Sequence, residues 1–279
     1  MATKVTLTQK LKDEYQHLFD TCIVRPAKAQ EVETLISRIE ANRNRYAAVA
    51  DPLGIPWYFV GIIHNMEASL NFKTHLHNGD PLTARTVQVP AGRPKSGSPP
   101  FIWEDSATDA LRLKGLHMVT DWSLPGTLFR MEAYNGFGYR LQHPEVLTPY
   151  LWSFSSHYTR GKFVADGKFS STAVSQQCGA AVLLRRMAET GAILFNRDGV
   201  PLPAAVNEPG AVDPLADFEP LVRFSETEKS PLAEKLQEAL NRFPGIFVKV
   251  DGVPGSKTSE AFKKISGHFL AGDPRASEG

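Results

Sequence analysis

WYFVGIIHNMEASLNF, residues 57–72, is the stretch on which the fold turns. From Trp57 to Met66 it is apolar on nearly every side. A helix here has no solvent face and must run through a core rather than over it. Pro56 suits the first helical turn, where a missing N–H costs nothing. The end is abruptly polar, with His64, Asn65 and Glu67. A carboxylate delivered by a buried helix is unusual, because burying an ion is costly. A Glu after an apolar helix more often faces solvent at the helix end.

Upstream, Val32, Leu35, Ile36 and Ile39 make the stripe of an amphipathic helix over 30–48, which Asp51, Pro52, Gly54 and Pro56 break. Downstream, residues 70–100 are rich in turn formers, with one extended run at Thr86–Val89. They predict a small hairpin or extended lobe. The lobe sets Lys73, Arg85, Arg93 and Lys95 against Asp80 alone. Helical patterns return at 104–116, 123–134 and 172–190. The last follows Ser170 and Ser171 as caps and ends at Gly191. Proline-rich residues around 201–229 read as a linker or strap, in which Leu221, Val222 and Phe224 are apt to dock. Order resumes with Ser230 as cap, Pro231 at the first helical position and Leu232, Leu236 and Leu240 in register. A second helix has Thr258 or Ser259 as cap and Ala261, Phe262 and Ile265 inside.

The 279 residues are 42% hydrophobic and 22% charged, which excludes a disordered, collagen-like or disulfide-scaffold chain. Basic and acidic residues number 31 and 30, so no general attraction to nucleic acid or anionic membrane is implied. No window approaches a transmembrane span, and the N-terminus lacks an apolar signal core. Cys22 and Cys178 have no metal spacing and read as two buried small hydrophobes. The expectation is a monomer made in the cytoplasm without a signal peptide.

Residues 236–265 resemble the small three-helix peptidoglycan-binding domain. The match runs through Leu236-Gln237, Leu240, Val250-Asp251-Gly252, Gly255, Lys257-Thr258 and Ala261. Asp251-Gly252 reads as a tight turn and Gly255 as a positive-φ position. This resemblance implies bacterial cell wall as the partner, bound by a module over 230–279.

The order of motifs over 50–190 resembles the lysozyme-like superfamily, nearest to goose-type lysozymes and soluble lytic transglycosylases. A buried helix ends HNMEASLNF, an extended lobe follows, and a helix runs into Ala133-Tyr134-Asn135-Gly136-Phe137-Gly138, similar to that family's AYNxG motif. The family has Ser directly after its acidic Glu, and here Ala68 intervenes before Ser69. The resemblance implies a mainly α fold, an α+β lysozyme-like catalytic domain over 1–200 with a small extended lobe. It implies Glu67 as general acid for the β-1,4 bond between N-acetylmuramic acid and N-acetylglucosamine. An apolar pocket suits that role, because it keeps a carboxylic acid protonated towards neutral pH. Tyr134 would pack beside the acid, and Asn135 and Gly136 would line the sugar cleft. Tyr158 is similar to a later family tyrosine. Trp103, Tyr134 and Tyr158 are the aromatics expected to stack on sugars.

Asp80 is the expected water-orienting carboxylate, or else only the start of an Asn-Gly-Asp-Pro turn. Thr83, Thr86 and Asp105 are secondary candidates. If none activates water, the substrate's own 6-hydroxyl attacks instead, as in a lytic transglycosylase. The competing chemistry is a zinc amidase or endopeptidase built on His64, Glu67, His75, His77 and Asp80. Their order differs from known zinc motifs, so no cofactor or metal is expected. A wall-binding protein without catalysis is the third class. A wall enzyme without a leader fits an endolysin released through a holin, or an effector delivered by a secretion machine.

Overall fold

The structure is a computed structural model that describes residues 5–165, 167–189, 192–193, 215, 218, 221–243 and 246–277. The chain divides into two compact units. One comprises Met1–Gln16 with Ile23–Met187, the other His17–Cys22 with Ala188–Gly279.

The first unit is built around helix α4, Trp57–Ala68, whose residues Tyr58–Met66 are all buried. With it in this unit are the residues of α1 (Gln9–Asp20) up to Gln16, and α2 (Ala29–Glu40), α3 (Arg43–Ala50), α5 (Trp103–Leu113) and α6 (Leu124–Asn135), of which α2, α3 and α6 pack on α4. The single helix expected over 30–48 is two, α2 and α3. Asn42 explains the break: its Nδ2 donates back to the Arg38 carbonyl at 2.9 Å, and its own backbone leaves the helical region.

The lobe over 70–102 contains no strand. The expected extended run at Thr86–Val89 is a loop, because the Val87 and Gln88 N–H groups go to the Asp80 carboxylate rather than to a neighbouring strand. Past α6 come two short helices, α7 (Gly138–Gln142) and α8 (Pro149–Trp152). The sheet is a hairpin further on, with β1 (Lys162–Ala165) antiparallel to β2 (Lys168–Ser170) and Phe163 opposite Phe169.

The helix expected over 172–190 begins only at α9, Ala180–Glu189. Ser170 ends a strand instead of capping. Gly179 is the reason for the late start. Its N–H donates to the Ser153 carbonyl, and a Cβ there would stand 2.2 Å from the Leu151 carbonyl oxygen. The end expected at Gly191 lies outside the described residues.

The second unit packs α10 (Pro231–Leu240) and α11 (Ser256–Ser266) over Leu236, Leu240, Val248 and Phe262. Ser230 caps α10 as expected, accepting from the Leu232 and Ala233 N–H groups. Thr258 and Ser259 do not cap α11. They lie inside it and buried, where Ser259 Oγ accepts from the Leu270 N–H and Thr258 Oγ1 accepts from Gln237. Gly255 is the residue before the helix, at φ −81°. The positive φ belongs to Gly252, at 74°. Gln237 organises the intervening loop, its Oε1 accepting from the Asp251 and Gly252 N–H groups at 2.9 Å each. Val222 is buried in this core and Phe224 packs on it, while Leu221 is 68% exposed. The end of the strap expected as linker thus belongs to the unit's core. Between 194 and 220 only Leu215 and Phe218 are described.

Among the described residues the architecture is mainly helical with one small hairpin. No single helix among the described residues is long and apolar enough to cross a membrane.

Candidate active site

Glu67 lies in the last turn of α4, half-buried, beyond a run of fully enclosed side chains. The helix ends on Ser69 and Leu70, both in the left-handed region at φ 51° and 59°. The Ser69 N–H reaches the Asn65 and His64 carbonyls, and this turns the chain away at once. The carboxyl is therefore held at the helix tip, not on its side.

Three elements converge there. From α8, the Tyr150 hydroxyl donates to Glu67 Oε1 at 2.8 Å. From α6 comes Tyr134, whose buried hydroxyl finds no hydrogen-bond partner among the described residues and is raised in pKa by burial and by the Glu67 charge. From the end of α5, the Lys114 ammonium lies 4.6 Å from the Tyr134 ring centre and donates to its carbonyl oxygen. Burial pushes the Glu67 pKa above the ordinary carboxylate value. The Tyr150 hydrogen bond and the Lys114 charge oppose that rise. Tyr150 is pushed well up, first by burial and then by Glu67. Burial thus shifts Glu67 towards its neutral form, beside two tyrosines whose own pKa values are raised.

A cleft of about 430 Å³ opens beside this group, with Tyr150 in its wall. Asn135, Gly136, Lys162, Phe163 and Gln177 also line it. Gly136 ends α6 at φ 87°, ψ 158°, a conformation open in practice only to glycine, and this turns Asn135 out to the surface. Gln177 Nε2 donates to the Met66 carbonyl at 2.7 Å, tying the loop before α9 to the tip of α4.

Glu67 and Tyr134 are thus brought together, and Asn135 and Gly136 line the adjoining cleft. Two expected sugar contacts are corrected. Trp103 is 1% exposed and packed among Tyr46, His64 and Phe72, so its indole has no face open to a ligand. Tyr158 is 2% exposed; its hydroxyl donates to the Gly161 carbonyl and accepts from the Ser175 N–H, a brace rather than a platform. The tyrosine that reaches the acid is Tyr150, which carried no periodic or motif signal in the sequence.

Asp80 is a brace as well. Its Oδ2 accepts from Asn78 Nδ2 at 3.0 Å, Val87 N–H at 2.8 Å and Gln88 N–H at 3.1 Å. These bonds hold its pKa below the ordinary value. Thr86 donates to the Pro90 carbonyl and accepts from the Arg93 N–H. Thr83 and Asp105 are exposed, and Asp105 lines a different cleft with Asp109 and Arg112.

The histidines point to separate partners. His64 Nδ1 meets the Tyr46 hydroxyl, and burial pushes its pKa down to about 4. His75 lies between Ser106 Oγ and the Ala84 carbonyl, and His77 Nε2 meets Asp109. Among the described residues no group of three or more His, Cys, Asp or Glu side chains is placed to hold a metal ion.

Compared with known proteins, the chain matches no family model, no curated protein and no solved structure.

Proposed function

We propose that this protein is a lysozyme-like enzyme that cleaves the β-1,4 bond between N-acetylmuramic acid and N-acetylglucosamine in bacterial peptidoglycan, with Glu67 as general acid. The observation that carries the reading is the half-buried Glu67 carboxyl at the tip of a core helix, raised in pKa by burial and hydrogen-bonded to Tyr150, which lines a neighbouring cleft that Glu67 itself does not line. Tyr150 donates to Oε1, so the carboxyl proton resides on Oε2. That proton passes to the leaving 4-oxygen of N-acetylglucosamine as the bond to muramic C1 breaks. Water added at C1 then gives a reducing muramic end. The second unit, in this reading, holds the enzyme on its insoluble substrate, an effective-concentration effect.

One observation favours a second product. Asp80 Oδ2 is occupied by three donors of its own loop. With that oxygen engaged in its own loop, the muramic 6-hydroxyl becomes the alternative nucleophile. It attacks C1, its proton returns to Glu67, and a 1,6-anhydro end forms. Mass spectrometry of digested sacculi tests the proposal and separates the products. Reducing muramic ends identify a hydrolase and anhydro ends a transglycosylase. Freed peptides with intact glycan would overturn both.

A further inference from the structure

The wall of the cleft beside Glu67 contains one charged residue among the described residues, Lys162. It is half-buried and opens β1. Its backbone is pinned on both sides. The Gly161 N–H donates to the Ala173 carbonyl at 2.9 Å, and the Phe163 N–H donates to the Tyr139 hydroxyl at 3.1 Å. Across the hairpin Lys162 is in register with Ser170. The root of the side chain is therefore fixed, yet its ammonium meets no carboxylate among the described residues.

Several other half-buried cations of this unit are paired, although Arg25, Arg85 and Arg130 meet no carboxylate among the described residues either. Arg93 meets Asp109 at 2.6 Å, Arg140 meets Glu132 and Glu14, and Arg186 meets Glu33. An ammonium in a cleft wall without a counter-charge is open to an arriving anion, with which it can form a charge-assisted hydrogen bond. The rest of the polar lining is neutral, from Asn135, Gln142, Ser175 and Gln177, and suits sugar hydroxyl and acetamido groups. Tyr150 belongs both to this wall and to the Glu67 hydrogen bond, so a ligand here lies beside the acid.

We infer that Lys162 is an anion-reading subsite for the carboxylate that muramic acid carries on its 3-O-lactyl arm, free or continued as the carboxylates of a stem peptide. The inference rests on the peptidoglycan reading above and deepens it. In a strand of alternating sugars only every second residue bears this arm. A fixed cation in the cleft therefore sets the register of the strand, and with it which of the two β-1,4 bonds lies at Glu67. Lys162 is a specificity residue in this account and takes no part in proton transfer.

The test is a calorimetric titration of the full-length Glu67→Gln protein, which holds sugars without consuming them. The probes are N,N′-diacetylchitobiose, which is neutral, the N-acetylglucosamine–N-acetylmuramic acid disaccharide with a free lactyl carboxylate, and the same disaccharide bearing its peptide. One acidic probe or both should bind about tenfold or more tightly than the neutral one, as a charge-assisted hydrogen bond warrants. The advantage should vanish on adding Lys162→Gln, persist with Lys162→Arg, and shrink with salt. Which acidic probe has the advantage tells the lactyl carboxylate from those of the peptide. Equal binding of all three, or an advantage that survives Lys162→Gln in a protein of unchanged melting temperature, overturns the inference. Digestion by the native protein is scored separately. Intact walls after digestion, with Lys162-dependent binding retained, would remove the proposed reaction and leave the subsite. Cleavage with indifferent binding would do the reverse.

Discussion

The Tyr150 hydroxyl donates to Glu67 Oε1 at 2.8 Å, joining a four-residue helix to the tip of the core helix across 83 positions of sequence. The bond stabilises the ionised carboxylate and so opposes the rise that burial imposes. Tyr150→Phe should therefore move the basic limb of the pH–rate profile upward. It should also lower kcat by about tenfold, because the carboxyl loses its fixed orientation. A profile of kcat/KM between pH 4 and 9 checks both, and a downward shift of the limb would contradict the assigned donor.

Glu67→Gln should reduce cleavage by at least about 10²-fold, the low end for acid–base catalysis. Its effect on stability has a definite sign. The folded pKa is raised, so the neutral form is favoured by folding, and stability is lost as pH climbs through that raised value. Glutamine never ionises. The variant should match the native protein below the unfolded carboxylate pKa and melt higher than it near neutrality. Thermal melts at acid and neutral pH check this.

Asp80→Asn separates a brace from a water-orienting base. The amide oxygen can still accept from the Val87 and Gln88 N–H groups, so the lobe should persist. If the nucleophile is the muramic 6-hydroxyl, cutting continues within about tenfold and yields anhydro ends. A loss of about 10²-fold or more would restore Asp80 to the reaction. Product mass spectra and rates on the same walls decide it.

Glu132 lies 2% exposed on α6, accepting from Tyr15 at 2.5 Å and paired with Arg140. Arg140→Ala leaves that carboxylate buried without its cation. Breaking such a pair costs about 3–5 kcal/mol. Urea denaturation should show the loss, and Arg140→Ala with Glu132→Gln together should recover part of it.

Gly179→Ala should destabilise by about 3 kcal/mol, the upper end for overpacking. The added carbon meets the Leu151 carbonyl oxygen at 2.2 Å and its carbon at 2.5 Å, both backbone atoms that cannot rotate away. Gly167→Ala meets nothing within 4 Å, so its cost is confined to the positive φ of 64° and should be smaller. Chemical denaturation of the pair gives the contrast.

The sequence by itself determined the elements whose signals are local. The core helix over 57–68, its polar tip at Glu67, the helix running into Tyr134-Asn135-Gly136 and the Ser230-Pro231 helix start all follow from patterns within one or two turns of chain. Solvent exclusion on every side and a hydroxyl cap are written in neighbouring residues. Tertiary structure decided what depends on distant partners. Trp103 and Tyr158 look like sugar platforms as residue types, but packing closed both. Thr258 and Ser259 look like caps, but Gln237 and the Leu270 N–H claimed them from afar. Tyr150 and Lys162 lie in stretches without periodicity, and only the fold sets one against Glu67 and leaves the other without a counter-charge. The physical reason is common to all these cases. A side chain's chemistry is set by which groups desolvate it and which complete its hydrogen bonds, and those groups lie far away along the chain.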